Sequence, residues 1–391
     1  MTDEGPPSFV ASEGVAAEAE RHATNLELFL DLVFVFAVTQ IASMISHHPS
    51  AGGTARGFVV ALLVWWQWSQ FTWAGSAIDL QSMARTRVLV LSLIPVTLLM
   101  TIAIPEAFHD TAIWFGAAYF GVQVLVLGMQ GAFALVDPAT RLAFIRYTSF
   151  AIVAPAVVLA GAFFHGHMRE GMWAAAACIN VLAGLRAAKG EWAINPVHFA
   201  ERHALFVIIA LGEVLVAAGA SAADIGLNGR TMLSIVVSVA VACMLWWAYF
   251  AFIPVVGEHR LRAATGTARG VLARDLYTFG HFPLVFGLVL YAVVVKHLVP
   301  HPNGHLTWDD RWLLGLSVAF FVGGLLLIQF RAVRRLAPER LIAIPAAAGL
   351  CALGTYIPAL LVVALVAVIY SVMTAITWHR YRANPLVPTT R

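Results

Sequence analysis

The sequence predicts an all-α protein, a polytopic bundle of about twelve transmembrane helices built as two parallel six-helix repeats. Three observations predict it: an apolar composition, recurring uncharged windows and a weak similarity between the two halves. Of the 391 residues, 60% are hydrophobic and 12% are charged, and the mean hydropathy is +0.82. Soluble domains are about 25% charged, so lipid is the predicted main solvent.

Apolar windows long enough to cross a bilayer, which takes about 20 residues, recur along the chain. The window between Arg340 and Arg380 holds 39 uncharged residues, and the turn sequence GTYIP at 354–358 is predicted to divide it into two spans. The sixth span is the weakest, because 15 residues separate Glu170 from Arg186. The predicted spans are 28–46, 57–78, 88–105, 112–135, 147–165, 171–188, 203–222, 232–255, 276–296, 312–330, 341–355 and 357–378.

The distribution of basic residues predicts that both chain ends are cytoplasmic. Cytoplasmic loops of membrane proteins are rich in Lys and Arg. With the N-terminus inside, 19 of the 24 basic residues fall on the cytoplasmic side. The five predicted to lie outside are Arg56, Arg169, Arg230, Lys296 and Arg311.

The remaining polar segments predict tails rather than further domains. Residues 1–25 are acidic and lack the order of a secretion signal, which predicts a cytoplasmic tail with Thr24 or Asn25 as the first N-cap. Residues 381–391 are predicted to form a second cytoplasmic tail. The basic residues form no stripe that would bind nucleic acid, and the three cysteines lack metal-ligand spacing.

The first and seventh spans are similar. LFLDLVFVFAVTQIA aligns with ERHALFVIIALGEVLVA, which sets Gln40 against Glu213 at an offset of 173. A tryptophan pair follows each, and the third and ninth spans are also related, although apolar helices resemble one another by composition alone. Two halves of six spans, 26–190 and 191–380, would face the same way, as in many transporters.

Four segments carry a family resemblance: LELFLDLVFVFAVTQIA, WWQWSQFTWAGSAID, IPEAF and HFAERHALFVIIALGE. They resemble the low temperature requirement protein A (LtrA) family of bacterial membrane proteins. The motifs extend from residue 26 to about residue 300, and the hydropathy profile fits to the C-terminus. The resemblance implies a multi-pass protein of the bacterial inner membrane, and it supplies no reaction, cofactor or substrate.

Glu213 is the most informative single residue, because no other formally charged side chain stands between His203 and Ala223. Counted from Arg202 at 1.5 Å per residue, it lies about 16 Å deep, near the bilayer centre. A carboxyl group there must face a cavity, find a partner or take a proton. This predicts a proton or cation relay or a ligand anchor; the alternative is a protonated acid bonded to a neighbouring helix.

Four further residues are predicted to line the same central site. Gln67 and Gln70 stand three apart in a tryptophan-rich helix, where amides bond across helices or line a polar pocket. His281 precedes Pro283, which is typical of a gated proton site, although a histidine donating to a backbone carbonyl is equally consistent. Gln40, aligned with Glu213, completes the set.

A polar network is predicted at the cytoplasmic entrance. Glu27 and Asp31 stand four apart and share one helix face, so they would bind a cation or be neutralised by Arg202 or by a loop arginine. Glu201 and His203 from the paired repeat are predicted to join them.

No metal site and no cofactor are predicted. His198 and Glu201 share a helix face, but His203 points away from it. The sequence contains no HExxH or other zinc pattern.

The leading functional hypothesis is a secondary transporter or channel-like protein, possibly proton-coupled, with a central polar site between its halves. Its predicted partners are the lipid bilayer and an unknown small molecule or ion. The alternative is an intramembrane enzyme acting on a lipid or isoprenoid, against which stands the lack of a DDxxD motif or a nucleophile constellation. A sensory or scaffolding protein without a substrate is the third hypothesis.

Overall fold

The computed structural model describes residues 21–77, 80, 84–134, 138–187 and 192–383, and these contain helices and no strand. The predicted tails therefore lie outside the described residues, except for 21–25 and 381–383, and so does the boundary at 190–191. Fifteen α-helices and a π-helical turn, Arg274–Phe279, are present in the described part. The helices are α1 (Asn25–His47), α2 (Ala51–Ala77), α3 (Ala84–Ile102), α4 (Ala112–Ala134), α5 (Pro138–Ala151), α6 (Val153–Gly161), α7 (Gly166–Ala187), α8 (Pro196–Ile225), α9 (Gly229–Phe250), α10 (Ile253–Ala263), α11 (Gly266–Ala273), α12 (Gly280–Leu298), α13 (Trp308–Val333), α14 (Pro338–Leu353) and α15 (Ala359–Ala383).

Eight helical stretches in the described residues are long and apolar enough to cross a bilayer. They are formed by α1, α3, α4, α8, α9 with α10, α11 with α12, α13 and α15. The other four predicted spans coincide with α2, α5 with α6, α7 and α14. Tryptophan and glutamine side chains lower the hydropathy of α2, and α14 has 16 residues. The all-α, multi-pass class is confirmed, and twelve crossings stay a prediction.

Two predicted helix boundaries are confirmed. Thr24 caps α1: its hydroxyl accepts from the Glu27 amide at 3.3 Å, and the Glu27 carboxylate accepts from the Thr24 amide at 2.9 Å. This reciprocal pair is a capping box. The turn at 354–358 separates α14 from α15, as its Gly and Pro predict.

Proline shapes two places where the helices differ from the predicted spans. The fifth span starts at Pro138 and is interrupted at Ile152, because Pro155 has no amide hydrogen for the carbonyl four residues earlier. In the ninth span, Pro283 leaves the Phe279 carbonyl without its usual donor, and the π-helical turn ends at Phe279. Such widened turns are common at functional sites.

The centre of the bundle is formed by α1, α8 and α12, which pack against one another. Nearly every residue of α12 is buried. Glu27 of α1 meets His198 of α8, and Thr39 meets Glu213 further along, so these two helices run parallel. A parallel pair requires an even number of crossings between the start of α1 and the start of α8.

The close packing of α12 on α13 requires a glycine at position 287. A Cβ atom on Gly287 would lie 2.6 Å from the Phe321 amide nitrogen and 2.7 Å from the Ser317 carbonyl oxygen. Both are backbone atoms that cannot move aside without separating the helices. Small residues allow this kind of backbone contact between membrane helices.

Gly287→Ala is therefore expected to destabilise the protein by about 1–3 kcal/mol, the usual cost of overpacking. Thermal unfolding of the purified protein in detergent measures the loss. Gly323→Ala is the matched control, since a Cβ atom there meets nothing within 4 Å. Equal melting temperatures for the two variants would contradict the prediction.

Candidate functional site

Buried polar side chains follow the line along which α1, α8 and α12 meet, and we call this line the polar seam. It has three layers: an arginine layer (Glu27, Asp31, His198, Arg202), a histidine layer (His203, His281, Tyr249, Tyr277) and a lysine layer (Thr39, Glu213, Lys296). Of these residues only Thr39 and Lys296 are not fully buried. Buried polar groups are costly without partners, so their pairing determines what each layer can do.

The arginine layer centres on a two-pronged ion pair. Nη1 and Nη2 of Arg202 donate to Oδ2 and Oδ1 of Asp31 at 2.7 and 2.9 Å. The indole nitrogen of Trp68 donates to Oδ1 of Asp31 at 3.0 Å. The side-chain exposure is 0% for Arg202 and 3% for Asp31, so water screens this pair little. This arrangement is the neutralisation by Arg202 that the sequence offered as one alternative.

Glu27 pairs with His198 in the same layer. Oε1 of Glu27 lies 2.9 Å from Nε2 of His198, and its Oε2 accepts from the amide and hydroxyl of Thr24, each at 2.9 Å. Sequence analysis did not assign His198 this partner. A signal was present, because His198 and Arg202 are spaced by four, like Glu27 and Asp31, and two such pairs match across parallel helices.

Glu201 and His203 do not join Glu27 and Asp31. Oε2 of Glu201 accepts from the Ala23 amide at 2.8 Å and lies 3.2 Å from Nδ1 of His22, near the surface. Consecutive residues of an α-helix point about 100° apart, so Glu201, Arg202 and His203 face three different surroundings. The predicted four-residue entrance network is therefore not formed. Glu27 and Asp31 pair with His198 and Arg202, Glu201 lies near the surface, and His203 lies in the histidine layer.

The histidine layer brings together His203 and His281, whose ring centroids lie 5.2 Å apart. Nδ1 of His281 contacts the Leu276 carbonyl oxygen at 2.9 Å, which makes it the donor and leaves Nε2 to accept from the Tyr249 hydroxyl at 2.8 Å. Nδ1 of His203 donates in the same way to the Phe199 carbonyl at 2.8 Å. In their neutral form both rings therefore carry the proton on Nδ1.

One ring nitrogen of the histidine layer differs from the others in its hydrogen bonding. Nε2 of His203 is buried and has no hydrogen-bond partner among the described residues. The ring is enclosed by the aromatic side chains of Trp68, Phe199 and Tyr277. A buried polar atom without a partner is costly, so this is the ring nitrogen of the histidine layer that a hydrogen-bond donor could still satisfy.

The lysine layer contains Glu213, whose residue exposure is 3%. Its Oε2 accepts from the Thr39 hydroxyl at 2.5 Å, and its Oε1 lies 3.1 Å from Nζ of Lys296. The predicted neighbours were Gln40, Gln67, Gln70 and His281, and the structure instead places Thr39 of α1 and Lys296 of α12 beside the carboxyl group. Oε1 of Glu213 is therefore within ion-pair distance of Lys296, although it forms no hydrogen bond among the described residues, and the protonated acid stays a prediction.

Gln40 follows Thr39 and so points to another side of α1. It is half-buried and forms no side-chain hydrogen bond within the described part of the chain. Lys296, which the basic-residue count assigned to the outside, extends its flexible stem toward the buried Glu213, whereas lysines near helix ends usually extend outward to water.

The seam ends in a polar group at the C-terminal ends of α1 and α12. Nδ1 of His297 lies 2.6 Å from Oδ1 of Asp310, and its Nε2 lies 2.9 Å from the Ser46 hydroxyl. Thr307 donates to the second carboxylate oxygen of Asp310 at 2.6 Å. Sequence analysis did not single out His297 or Asp310.

Gln67 and Gln70 lie away from the seam, on the face of α2 that meets α4 and α5. Gln67 donates to the Tyr119 carbonyl at 3.3 Å, and the side-chain oxygen of Gln70 accepts from the Tyr147 hydroxyl. A cavity of about 30 Å³ lies beside Gln70. The seam-facing side of α2 instead presents Trp68, so the two glutamines do not contact Glu213.

An apolar barrier separates the histidine layer from the lysine layer. His203 and Glu213 are ten residues apart on α8, which is about 15 Å. The intervening side chains that face the bundle are buried and hydrophobic, among them Phe206, Val207 and Ala210. Phe206 packs on Trp68 with ring centroids 4.3 Å apart. The seam in this conformation is therefore not a continuous polar path.

Fold and site define an all-α, multi-pass membrane protein with ionisable groups buried where its central helices meet. The chain belongs to the bacterial low temperature requirement A protein (LtrA) family, whose family model matches residues 22–375. It is also similar to an uncharacterized protein of Rhizobium meliloti (strain 1021), with 30% identity over 310 residues, 76% of this chain and 75% of the relative. No solved structure matches the chain.

Proposed function

We propose that this protein is a proton-coupled secondary transporter in which protons reach and leave Glu213 through the polar seam. The observation that carries the proposal is the burial of Glu213 inside an apolar segment with Lys296 as its one cationic partner among the described residues. Intramembrane ionisable residues are costly and typically mark ion or proton pathways. When Glu213 takes up a proton and releases Lys296, the net charge of the site rises by one unit.

The apolar barrier favours a carrier over a channel. A channel needs a continuous path, whereas a carrier exposes its site to one side at a time. Phe206, Val207 and Ala210 close the seam between the histidine and lysine layers. Lys296 is 21% exposed, so we propose that this conformation opens the lysine layer toward the outer end of the bundle.

The packing of the helices supports a duplication of the halves 26–190 and 191–380. The contacts of α1 with α2 and α3 correspond to those of α8 with α9 and α12. The contacts of α4 with α3 and α6 correspond to those of α13 with α12 and α14. In the same way α7 packs on α2 and α6, and α15 packs on α9 and α14.

The pairing across the seam also fits a repeat axis along the membrane normal. Equivalent residues of two parallel repeats meet at such an axis. Glu27 with His198 and Asp31 with Arg202 are each separated by 171 positions, close to the 173 of the sequence alignment. We propose six crossings per half and cytoplasmic chain ends in the bacterial inner membrane.

A reconstitution experiment tests the transport proposal. Purified protein in liposomes is given an inward proton gradient at a clamped potential, with a small-molecule extract of bacterial cytoplasm inside, and internal pH is followed by a dye. The protein is expected to acidify the vesicles, and Lys296→Met is expected to reduce the rate to that of protein-free vesicles. Arg56→Met is the control, because Arg56 pairs with Glu170 away from the seam. Equal rates for the two variants would remove the seam from the mechanism.

A further inference from the structure

A second cavity lies apart from the polar seam, where the ends of α13, α14 and α15 meet the start of α10. Its volume is about 350 Å³, and ligand pockets measure about 300–1,000 Å³. None of the residues that line it belongs to the three layers of the seam. The cavity therefore calls for an explanation that does not depend on the proposed transport function.

One part of the lining is apolar and continues toward the lipid. Phe252, Ile253 and Val256 at the start of α10 are buried in it, together with Ile328 of α13. Leu336 lines the same cavity and is 51% exposed. This part of the cavity suits hydrocarbon chains that enter from the bilayer.

The other part of the lining carries more positive than negative charge. Arg335, Arg340 and Arg380 line it, against the single carboxyl group of Glu339. Oε1 of Glu339 accepts from the Thr377 hydroxyl at 3.0 Å, and its Oε2 lies 3.0 Å from the Arg380 guanidinium, within ion-pair distance but without a hydrogen bond.

The hydrogen bonding of Arg340 indicates that the cavity binds a ligand. It is 3% exposed, and its Nη1 donates to the Gln329 side chain at 2.8 Å and to the Leu325 carbonyl at 3.3 Å. Its Nε is buried without a hydrogen-bond partner among the described residues. A buried charged donor left unpaired is costly, and the guanidinium group that carries it belongs to a residue that lines the cavity.

We infer that this cavity binds an anionic phospholipid, with its phosphate against Arg340 and Arg380 and its acyl chains along the apolar wall of α10. Guanidinium groups bind phosphate oxygens through paired hydrogen bonds. The basic residues here lie at the end of the bundle predicted to be cytoplasmic, where anionic headgroups attract arginine. The apolar wall distinguishes a lipid from a free phosphate ion.

Native mass spectrometry of the full-length protein, released from detergent with phosphatidylglycerol or phosphatidylcholine added, tests the inference. Phosphatidylglycerol is expected to be retained in preference to phosphatidylcholine. Arg340→Gln and Arg380→Gln are each expected to weaken that retention about tenfold, as loss of one charge-assisted contact would. Arg382→Gln is the matched control, because Arg382 lies on the same helix and does not line the cavity.

Arg380 is 57% exposed on its side chain, so Arg380→Gln decides the question if Arg340→Gln does not fold. Retention that is equal in Arg380→Gln and Arg382→Gln would overturn the inference. A parallel titration with inorganic phosphate separates the two sources of phosphate. Displacement of phosphatidylglycerol by millimolar phosphate would overturn the lipid assignment, whereas retention under those conditions supports it.

Discussion

Asp31→Asn is expected to lower the free energy of unfolding by about 3–5 kcal/mol, the usual result of removing one partner of a buried ion pair. The reason is the environment of Arg202, whose side chain has 0% exposure and two hydrogen bonds to Asp31. Asparagine keeps the shape but removes the carboxylate charge to which the guanidinium is hydrogen-bonded. Unfolding of the purified protein in detergent, followed by near-ultraviolet circular dichroism, measures the loss.

A control and a double variant separate charge from shape. Asp224→Asn makes the same chemical change at an exposed position near the end of α8, and it is expected to leave stability unchanged. Asp31→Leu combined with Arg202→Met is expected to be more stable than either single variant, because an apolar pair can replace a buried ion pair at little cost. If Asp31→Asn unfolds at the same point as Asp224→Asn, the ion pair does not hold α1 to α8.

Hydropathy alone predicted the helices well, because a backbone surrounded by lipid can satisfy its hydrogen bonds in few conformations. Spanning segments must satisfy their own hydrogen bonds, which makes every long apolar window a helix. The window between Arg340 and Arg380 was too long for one crossing, and its Gly and Pro at 354–358 indicated where it divides into two helices. The interruption at Ile152 was less evident, since a proline in a membrane helix can bend the helix or divide it.

The contact partners within the site were harder to predict. Counting residues gives the depth of a side chain in the membrane, but it does not give the direction in which that side chain points around the helix. Thr39 and Gln40 lie at nearly the same depth, yet Thr39 bonds Glu213 and Gln40 does not. A single position on a helix turns the side chain by about 100°. The offset of 173 was therefore close to the observed 174 between Thr39 and Glu213 and still selected the wrong neighbour.

Long basic side chains were placed too far from the core for a related reason. Lys296 was predicted as the last residue of the ninth span, on the outer side, and Arg202 was used to mark the cytoplasmic edge. Both lie inside helices, because α12 extends to Leu298 and α8 begins at Pro196. Residue counting locates the Cα atom, whereas the charged atoms of Lys and Arg lie several ångströms away along a flexible stem.

Glu213→Gln is expected to abolish proton-coupled transport while the protein still folds and inserts. The amide keeps the size of the side chain and can accept the hydrogen bond that Thr39 donates at 2.5 Å. It cannot take up or release a proton, so the exchange of Lys296 for a proton no longer takes place. Lys296 is 21% exposed on its side chain and can extend toward the outer end, which avoids an unpaired buried charge.

The measurement is the rate of internal acidification in liposomes, together with the melting temperature of the same preparation. Glu213→Gln is expected to give the rate of protein-free vesicles with a melting temperature close to that of the unchanged protein. Glu170→Gln is the matched control, because Glu170 forms a similar pair with Arg56 outside the seam. A Glu213→Gln protein that transports normally would show that Glu213 only joins α8 to α1 and α12. A protein that loses transport and melts much earlier would assign the loss to folding, and Glu213→Gln with Lys296→Met would then be expected to restore stability without restoring transport.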